Sequence, residues 1–250
     1  MKVLLLAAGR GTRISRYLEG KPKCLVDIGD ISLLKYSVEL FRRNGIEDIG
    51  IVLGYKNMYI REELKELNVK FFYNPFFDVT NSIASTWLAR EFLSNKTDLI
   101  IMNADVYIEQ DTLDTVLKSS FDRVVFADAS RKSEADYKLK YEGSTLVNYG
   151  KDLQGDDISG EYIGIGKIRS SCVEGFLSKL ESMINNQQHS LWWENVLYDN
   201  NSEDPVKVSE ITGQFWAEVD YIEDYNRILT HRDQKDLLMT LIGKTNLDLS

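Results

Sequence analysis

Short, unbroken apolar runs recur through the first half of the chain, and between them apolar residues return at helical spacing. Lys2–Leu6 is such a run, ends in small residues, and reads as a buried parallel strand. Ser32–Arg43 puts Leu33, Leu34, Val38, Leu40 and Phe41 on one helical face, and Asn44-Gly45 supplies a stop. The same reading gives strands at Asp48–Leu53, Val69–Tyr73, Asp98–Met102 and Arg123–Ala127. Helices are expected at Tyr59–Leu67, Asn81–Leu93 and Thr112–Leu117. Alternation of strand and helix predicts a mostly parallel sheet with helices on both faces.

After residue 130 the rhythm changes. Tyr137–Tyr141 and Thr145–Tyr149 alternate across Glu142-Gly143-Ser144, as the arms of a β-hairpin do. Glu161–Ile168, Pro205–Glu210 and the short run Phe215–Val219 read as strands. Cys172–Ile184, the aromatic-rich Leu191–Tyr198, Tyr221–Arg232 and Gln234–Ile242 read as helices. The fold class predicted is α/β, with a small antiparallel β insertion in the second half.

Composition narrows the function. In 250 residues, 43% hydrophobic and 28% charged is an ordinary globular balance. The longest apolar runs are too short to cross a bilayer, and Gly9–Arg13 follows Val3–Ala8 too soon for a signal peptide. A soluble, cytoplasmic protein is expected. Thirty Lys and Arg against 39 Asp and Glu leave a net charge of −9, which disfavours nucleic-acid binding but permits a local cationic pocket for a small phosphate. Two cysteines and two histidines make a disulfide framework, a zinc site or a Ser-His-Asp hydrolase improbable. A metal here is expected to be a hard cation held by carboxylates.

The chemistry is densest at Leu6-Ala7-Ala8-Gly9-Arg10-Gly11-Thr12-Arg13, followed by Lys21-Pro22-Lys23-Cys24-Leu25. Small residues after a buried strand let backbone N–H groups close on an anion, and Arg13 and Lys23 add charge-assisted contacts. No Gly-Lys-Ser/Thr follows, which excludes a Walker A loop, and Ile14 stands where a dinucleotide fingerprint needs its third glycine. A lone Gly-x-Gly is often only a tight turn; the added Arg13 and Pro22-Lys23 weigh against that.

This pattern, LAAGxGxR followed by PKxL, resembles the signature of the nucleoside-triphosphate transferases, the nucleotidyltransferases that activate sugar phosphates and related phospho-alcohols. Asn74-Pro75, Thr80–Leu88, Asn103–Tyr107, Gly160–Ile165 and Trp216–Asp220 resemble the cytidylyltransferase branch typified by bacterial phosphocholine cytidylyltransferases. One departure is Ser15–Glu19, which lacks a proline often found there. The resemblance implies a Rossmann-like sheet in a single domain over 1–250. Residues 1–130 would form the nucleotide-binding half, 131–220 the acceptor half and 221–250 the C-terminal helices. It also implies attack of a phosphate or phosphonate oxygen on the α-phosphorus of CTP, with release of pyrophosphate. By the same resemblance Asp105 and Asp220 hold Mg²⁺, with Glu218 a weaker third, read as turned away from Asp220 along the strand. Lys23 would bridge triphosphate and acceptor, and Lys138 would meet the acceptor phosphate, with Lys140 and Lys151 able to replace it. Leu6, Ala8, Gly9, Gly11, Thr12, Asn81, Ser82, Ser85 and Asp105 would line the nucleotide.

Asn81, Ser82 and Ser85 suit the edge of a pyrimidine, and Thr80-Asn81-Ser82 equally suits a helix N-cap. Tyr162, Trp192, Trp193 and Trp216, with Glu194, can cage an amine or quaternary ammonium, or can simply be core aromatics. The acceptor is left open among phosphocholine, phosphoethanolamine, aminoethylphosphonate, hydroxyphosphonates and amino-acid phosphates, and so is homo-oligomer formation. The alternatives are a sugar-1-phosphate nucleotidyltransferase using UTP, GTP or dTTP, a glycosyltransferase (disfavoured because Asp105-Val106-Tyr107 is not Asp-x-Asp), and a non-catalytic nucleotide-sensing subunit.

Overall fold

A computed structural model describes the chain except residues 15, 16, 19, 95, 199–204 and 248–250; of residues 236 and 238–247 only the backbone is considered. The expected departure at Ser15–Glu19 thus lies largely outside the described residues. The strands are β1 (Lys2–Ala7), β2 (Asp48–Leu53), β3 (Lys70–Tyr73), β4 (Leu99–Asn103), β5 (Val106–Ile108), β6 (Arg123–Asp128), β7 (Lys138–Glu142), β8 (Thr145–Gly150), β9 (Gly160–Ile168), β10 (Lys207–Glu210) and β11 (Trp216–Glu218). The helices are α1 (Leu33–Arg43), α2 (Asn57–Glu63), α3 (Ser82–Leu88), α4 (Arg90–Leu93), α5 (Gln110–Lys118), α6 (Val173–Asn185) and α7 (Ile222–Leu247). Among the described residues, no helix is long and apolar enough to cross a membrane.

Nine strands form one mixed sheet in the order β3-β2-β1-β4-β9-β6-β10-β8-β7, and β7 also pairs with β9. The block β3-β2-β1-β4 is parallel, as the alternation predicted. β9 then enters antiparallel to both β4 and β6, so a strand from the second half occupies the centre of the sheet. The predicted hairpin is β7–β8.

Successive residues of the buried strands face opposite layers. Val3, Leu5, Ile49, Ile51, Ile100 and Met102 pack with Leu34, Val38 and Phe41 of α1 and with Leu113 and Val116 of α5. Leu4, Val52, Leu99 and Ile101 pack with α4, α6 and Trp193 on the other side. All nine residues of β9 are buried. A Cβ on Gly166 would stand 2.6 Å from the Trp193 ring, so glycine here is what lets the indole close on the central strand.

Several boundaries differ from expectation. Asn81–Leu93 divides into α3 and α4 at the fully buried Ala89. Leu191–Tyr198 contains only the 3₁₀ turn Trp193–Val196, because its aromatics are spent on core packing rather than on a repeating face. Tyr221–Arg232 and Gln234–Ile242 fuse into α7, with no Pro or Gly between them to interrupt it. β5 escapes a periodicity reading because it is three residues long, yet its antiparallel pairing with β11 (Val106 with Glu218, Ile108 with Trp216) shapes the site.

Candidate functional site

The glycine loop leaves β1 with its first turn tied to β2, the Ala8 carbonyl accepting from Tyr55 N at 3.0 Å. Gly11 has φ +61°, and a Cβ there would stand 2.5 Å from Lys23 Cβ. The loop must therefore carry glycine for Lys23 to lie across it. Lys23 opens a 3₁₀ turn behind Pro22, anchored by the buried Cys24 and Leu25.

Asp105 follows β4, the C-terminal edge where an open α/β sheet places its ligands. Two backbone bonds hold it: Ala104 N donates to Leu6 O at 3.1 Å, and Val219 N donates to Asp105 O at 2.9 Å. Through the β5–β11 ribbon this brings Glu218 and Asp220 alongside, with carboxylate oxygens of all three acids within 4.8 Å of one another. Glu218 is thus a full member of the cluster, correcting the expectation that it turns away. Residues two apart on a strand share a face.

Lys23 Nζ lies 2.6 Å from Asp105 Oδ2 and 2.6 Å from Asp220 Oδ1, and Arg13 reaches Asp220 Oδ2 at 2.6 Å. Against its own burial, Lys23 is held well above the ordinary lysine value by Asp105 and Asp220. Burial, with the negative charge of Asp105 beside it, pushes Glu218 well above the carboxylate range. Asp220, despite burial, is held below that range by Lys23 and Arg13. Asp105 Oδ1 is buried without a hydrogen-bond partner among the described residues. Three hard oxygen donors, one carrying an unpaired buried atom, fit a cation such as Mg²⁺.

On the Asp105 side lies a cleft of ≈ 210 Å³ whose lining includes Ala8, Gly9, Asn81, Ser82, Ser85 and Asp105. Leu6, Phe77, Thr80, Asn103 and Trp192 complete it. Thr12 is exposed on the loop. Asn81 is the N-cap of α3 and also lines the cleft, so both readings of that residue hold geometrically. The Ser82 hydroxyl accepts from Trp193 N at 2.9 Å, which docks the aromatic turn onto α3. Phe77 escaped notice in the sequence, and Asn74 and Asn103 stood out there only as parts of motifs, with no role attached.

The five acceptor candidates separate. Trp192 is half-exposed at the cleft, with Tyr137 edge-on to it at 5.4 Å and edge-on to Tyr162 at 5.8 Å. Glu194 is buried behind these rings, and burial pushes its carboxyl up to about 7. Tyr162 is buried behind Tyr137, and Trp193 is fully buried against Gly166, so the expectation that the Trp193 ring faces an acceptor fails for packing reasons. Trp216 donates from Nε1 to Asp128 at 2.9 Å and lines a separate ≈ 90 Å³ cleft with Arg131, Asp136, Asp220 and Arg227.

Lys138 is turned aside, donating from Nζ to Lys151 O at 2.8 Å. Lys151 is instead the lysine that faces the site, 2.7 Å from Asp136 and 5.8 Å from the centre of the Trp192 ring. Residue 138 begins β7 and residue 151 follows β8; pairing of 138 with 150 across the hairpin lets one lysine hold the turn that presents the other.

The chain resembles two curated cytidylyltransferases over nearly their whole length. It is 26% identical to the CTP:phosphoglutamine cytidylyltransferase of Campylobacter jejuni, covering 90% of this chain and 97% of that one. It is also 26% identical to a choline-phosphate cytidylyltransferase of Streptococcus pneumoniae, covering 91% of this chain and 96% of that one. Its fold matches the solved CTP:phosphocholine cytidylyltransferase from Streptococcus pneumoniae with a TM-score of 0.73 at 24% identity, over 92% of this chain and 97% of that chain. A glycine loop crossed by a lysine, with facing carboxylates at the strand ends, suits nucleotidyl transfer. Residues 3–190 match the MobA-like NTP transferase domain, and the protein belongs to that family of nucleotidyltransferases.

Proposed function

We propose that the protein is a Mg²⁺-dependent cytidylyltransferase that joins CMP from CTP to a small phosphorylated alcohol or phosphonate. One observation carries this reading: a single cleft combines the glycine loop, the short polar side chains of α3 and Asp105, with Lys23 and Arg13 beside it. The names of the relatives support cytosine as the base and an amine-bearing acceptor. Asp105, Glu218 and Asp220 would hold Mg²⁺, which supplies charge neutralisation at the reacting phosphates.

Two anions must meet, so catalysis is chiefly positioning and charge compensation. Backbone N–H groups of the loop cradle the triphosphate, and Lys23 and Arg13 draw the acceptor anion toward it. The acceptor oxygen forms a bond to the α-phosphorus as the bond to the β-phosphate bridging oxygen breaks, and pyrophosphate leaves. Tyr137 and Trp192, with Glu194 behind them, suit a quaternary ammonium or amine. A second acceptor reading, an amino-acid phosphate, is supported by the CTP:phosphoglutamine cytidylyltransferase among the relatives.

The test is pyrophosphate release with Mg²⁺ and CTP or UTP against phosphocholine, phosphoethanolamine, 2-aminoethylphosphonate, phosphoglutamine and sugar 1-phosphates. Turnover with CTP and one amine-bearing acceptor is expected. Preference for UTP and a sugar phosphate would overturn the reading, and CTP binding with silence across the panel would favour a sensor.

A further inference from the structure

Asn74 is 1% exposed and does not itself line the cleft, yet its hydrogen bonds to two lining residues fix how one of the cleft's hydroxyls presents itself. The backbone N–H of Phe76 donates to Asn74 Oδ1 at 2.9 Å. A backbone N–H can only donate, so the orientation of the amide is set: oxygen toward Phe76, nitrogen toward Thr80 and Ser85. The two amide protons go to Thr80 Oγ1 at 3.1 Å and to Ser85 Oγ at 3.0 Å. Thr80 spends its own proton on the Phe76 carbonyl at 2.8 Å. Ser85 does not: among the described residues its hydroxyl donates to nothing, and it lines the nucleotide cleft.

A hydroxyl that accepts from a buried amide must point its proton elsewhere, and for Ser85 the cleft lies open. We infer that Asn74 is a specificity-determining positioning residue, which locks Ser85 as a hydrogen-bond donor toward the base and so selects cytosine over uracil. Cytosine carries an acceptor at N3 where uracil carries N–H, and a fixed donor pairs with the first and opposes the second. This deepens the proposed use of CTP and rests on that reading.

The sign of the effect makes it testable. In Asn74→Asp the carboxylate still accepts from Phe76 N but now also accepts from Ser85, which turns the Ser85 proton inward and offers the cleft a lone pair. The measurement is calorimetric affinity of the full chain for CTP and for UTP with Mg²⁺ present, needing no acceptor. The added negative charge acts on both nucleotides alike and cancels in their ratio. The preference for CTP is expected to fall at least about tenfold, the scale of one hydrogen bond to the base. Ser85→Ala should lower the preference too, and Asn74→Asp should then change it no further. Equal losses for both nucleotides, or the same shift without the Ser85 hydroxyl, would overturn the inference. Should Asn74→Asp not fold, an unchanged preference in Ser85→Ala does the same. A wild-type protein that prefers UTP refutes instead the cytidylyltransferase reading beneath it.

Discussion

Lys23 balances the charge of the site: one ammonium stands between two carboxylates, with Glu218 close behind. Removing it leaves those acids uncompensated and, on the proposed reading, takes a cation from the triphosphate. Lys23→Ala should lower kcat about 10²–10³-fold, the usual cost of losing one preorganised charge-stabilising group, while the far-ultraviolet circular dichroism stays unchanged. Retention of near-normal turnover would remove Lys23 from the catalytic set. Pro22-Lys23 and Gly9–Arg13 stood out in the sequence because phosphate binding demands rare local chemistry: glycine where the chain crosses itself, and cations just beyond. Lys151 stood out only as one of two substitutes for Lys138, and Tyr137 gave no such signal. Choosing Lys151 over Lys138 depends on which way each side chain leaves the hairpin, and no residue type encodes that.

The decisive element is β9, whose central place brings Trp193 onto Gly166 and, through that contact, sets the aromatic turn carrying Trp192 and Glu194. Gly166→Ala should destabilise the protein by about 1–3 kcal/mol, because a Cβ at 2.6 Å overpacks a filled layer. Trp193→Ala should cost about 3–5 kcal/mol through the cavity it leaves. In the Trp193→Ala background the penalty of Gly166→Ala should largely vanish, since the two share one space. Urea midpoints of the four proteins close this cycle, and strictly additive losses would show that the contact is not what constrains residue 166. The parallel strands and most of the helices were legible from apolar runs and helical spacing. The entry of β9 between β4 and β6 was not, because a fully buried strand looks the same at any interior place in a sheet.

For the whole molecule, the site is a product of assembly. Asp105 and Asp220 come from distant parts of the chain, joined by the ribbon and held beside a loop from its start. Ligand binding should therefore stabilise the fold as a unit. With CTP and Mg²⁺ at about 100 times their dissociation constant, stability should rise by about 2.7 kcal/mol, a Tm increase of about 5–10 °C. Thermal melts should lose most of this increase when EDTA replaces Mg²⁺ or in Asp220→Ala; an undiminished shift would mean that CTP binds without the carboxylate cluster. By itself the sequence determined the α/β class, the parallel block and the glycine loop, and it singled out the acids and cations that the fold brings together. Those follow from local periodicity and from residue types that few other roles require. Tertiary structure alone decided the place of β9, the position of Glu218 beside Asp105 and Asp220, the burial of Trp193 and the directions in which Lys138 and Lys151 leave their hairpin. Each of these depends on which surfaces meet across the fold, and contacts between distant segments leave no period in the chain.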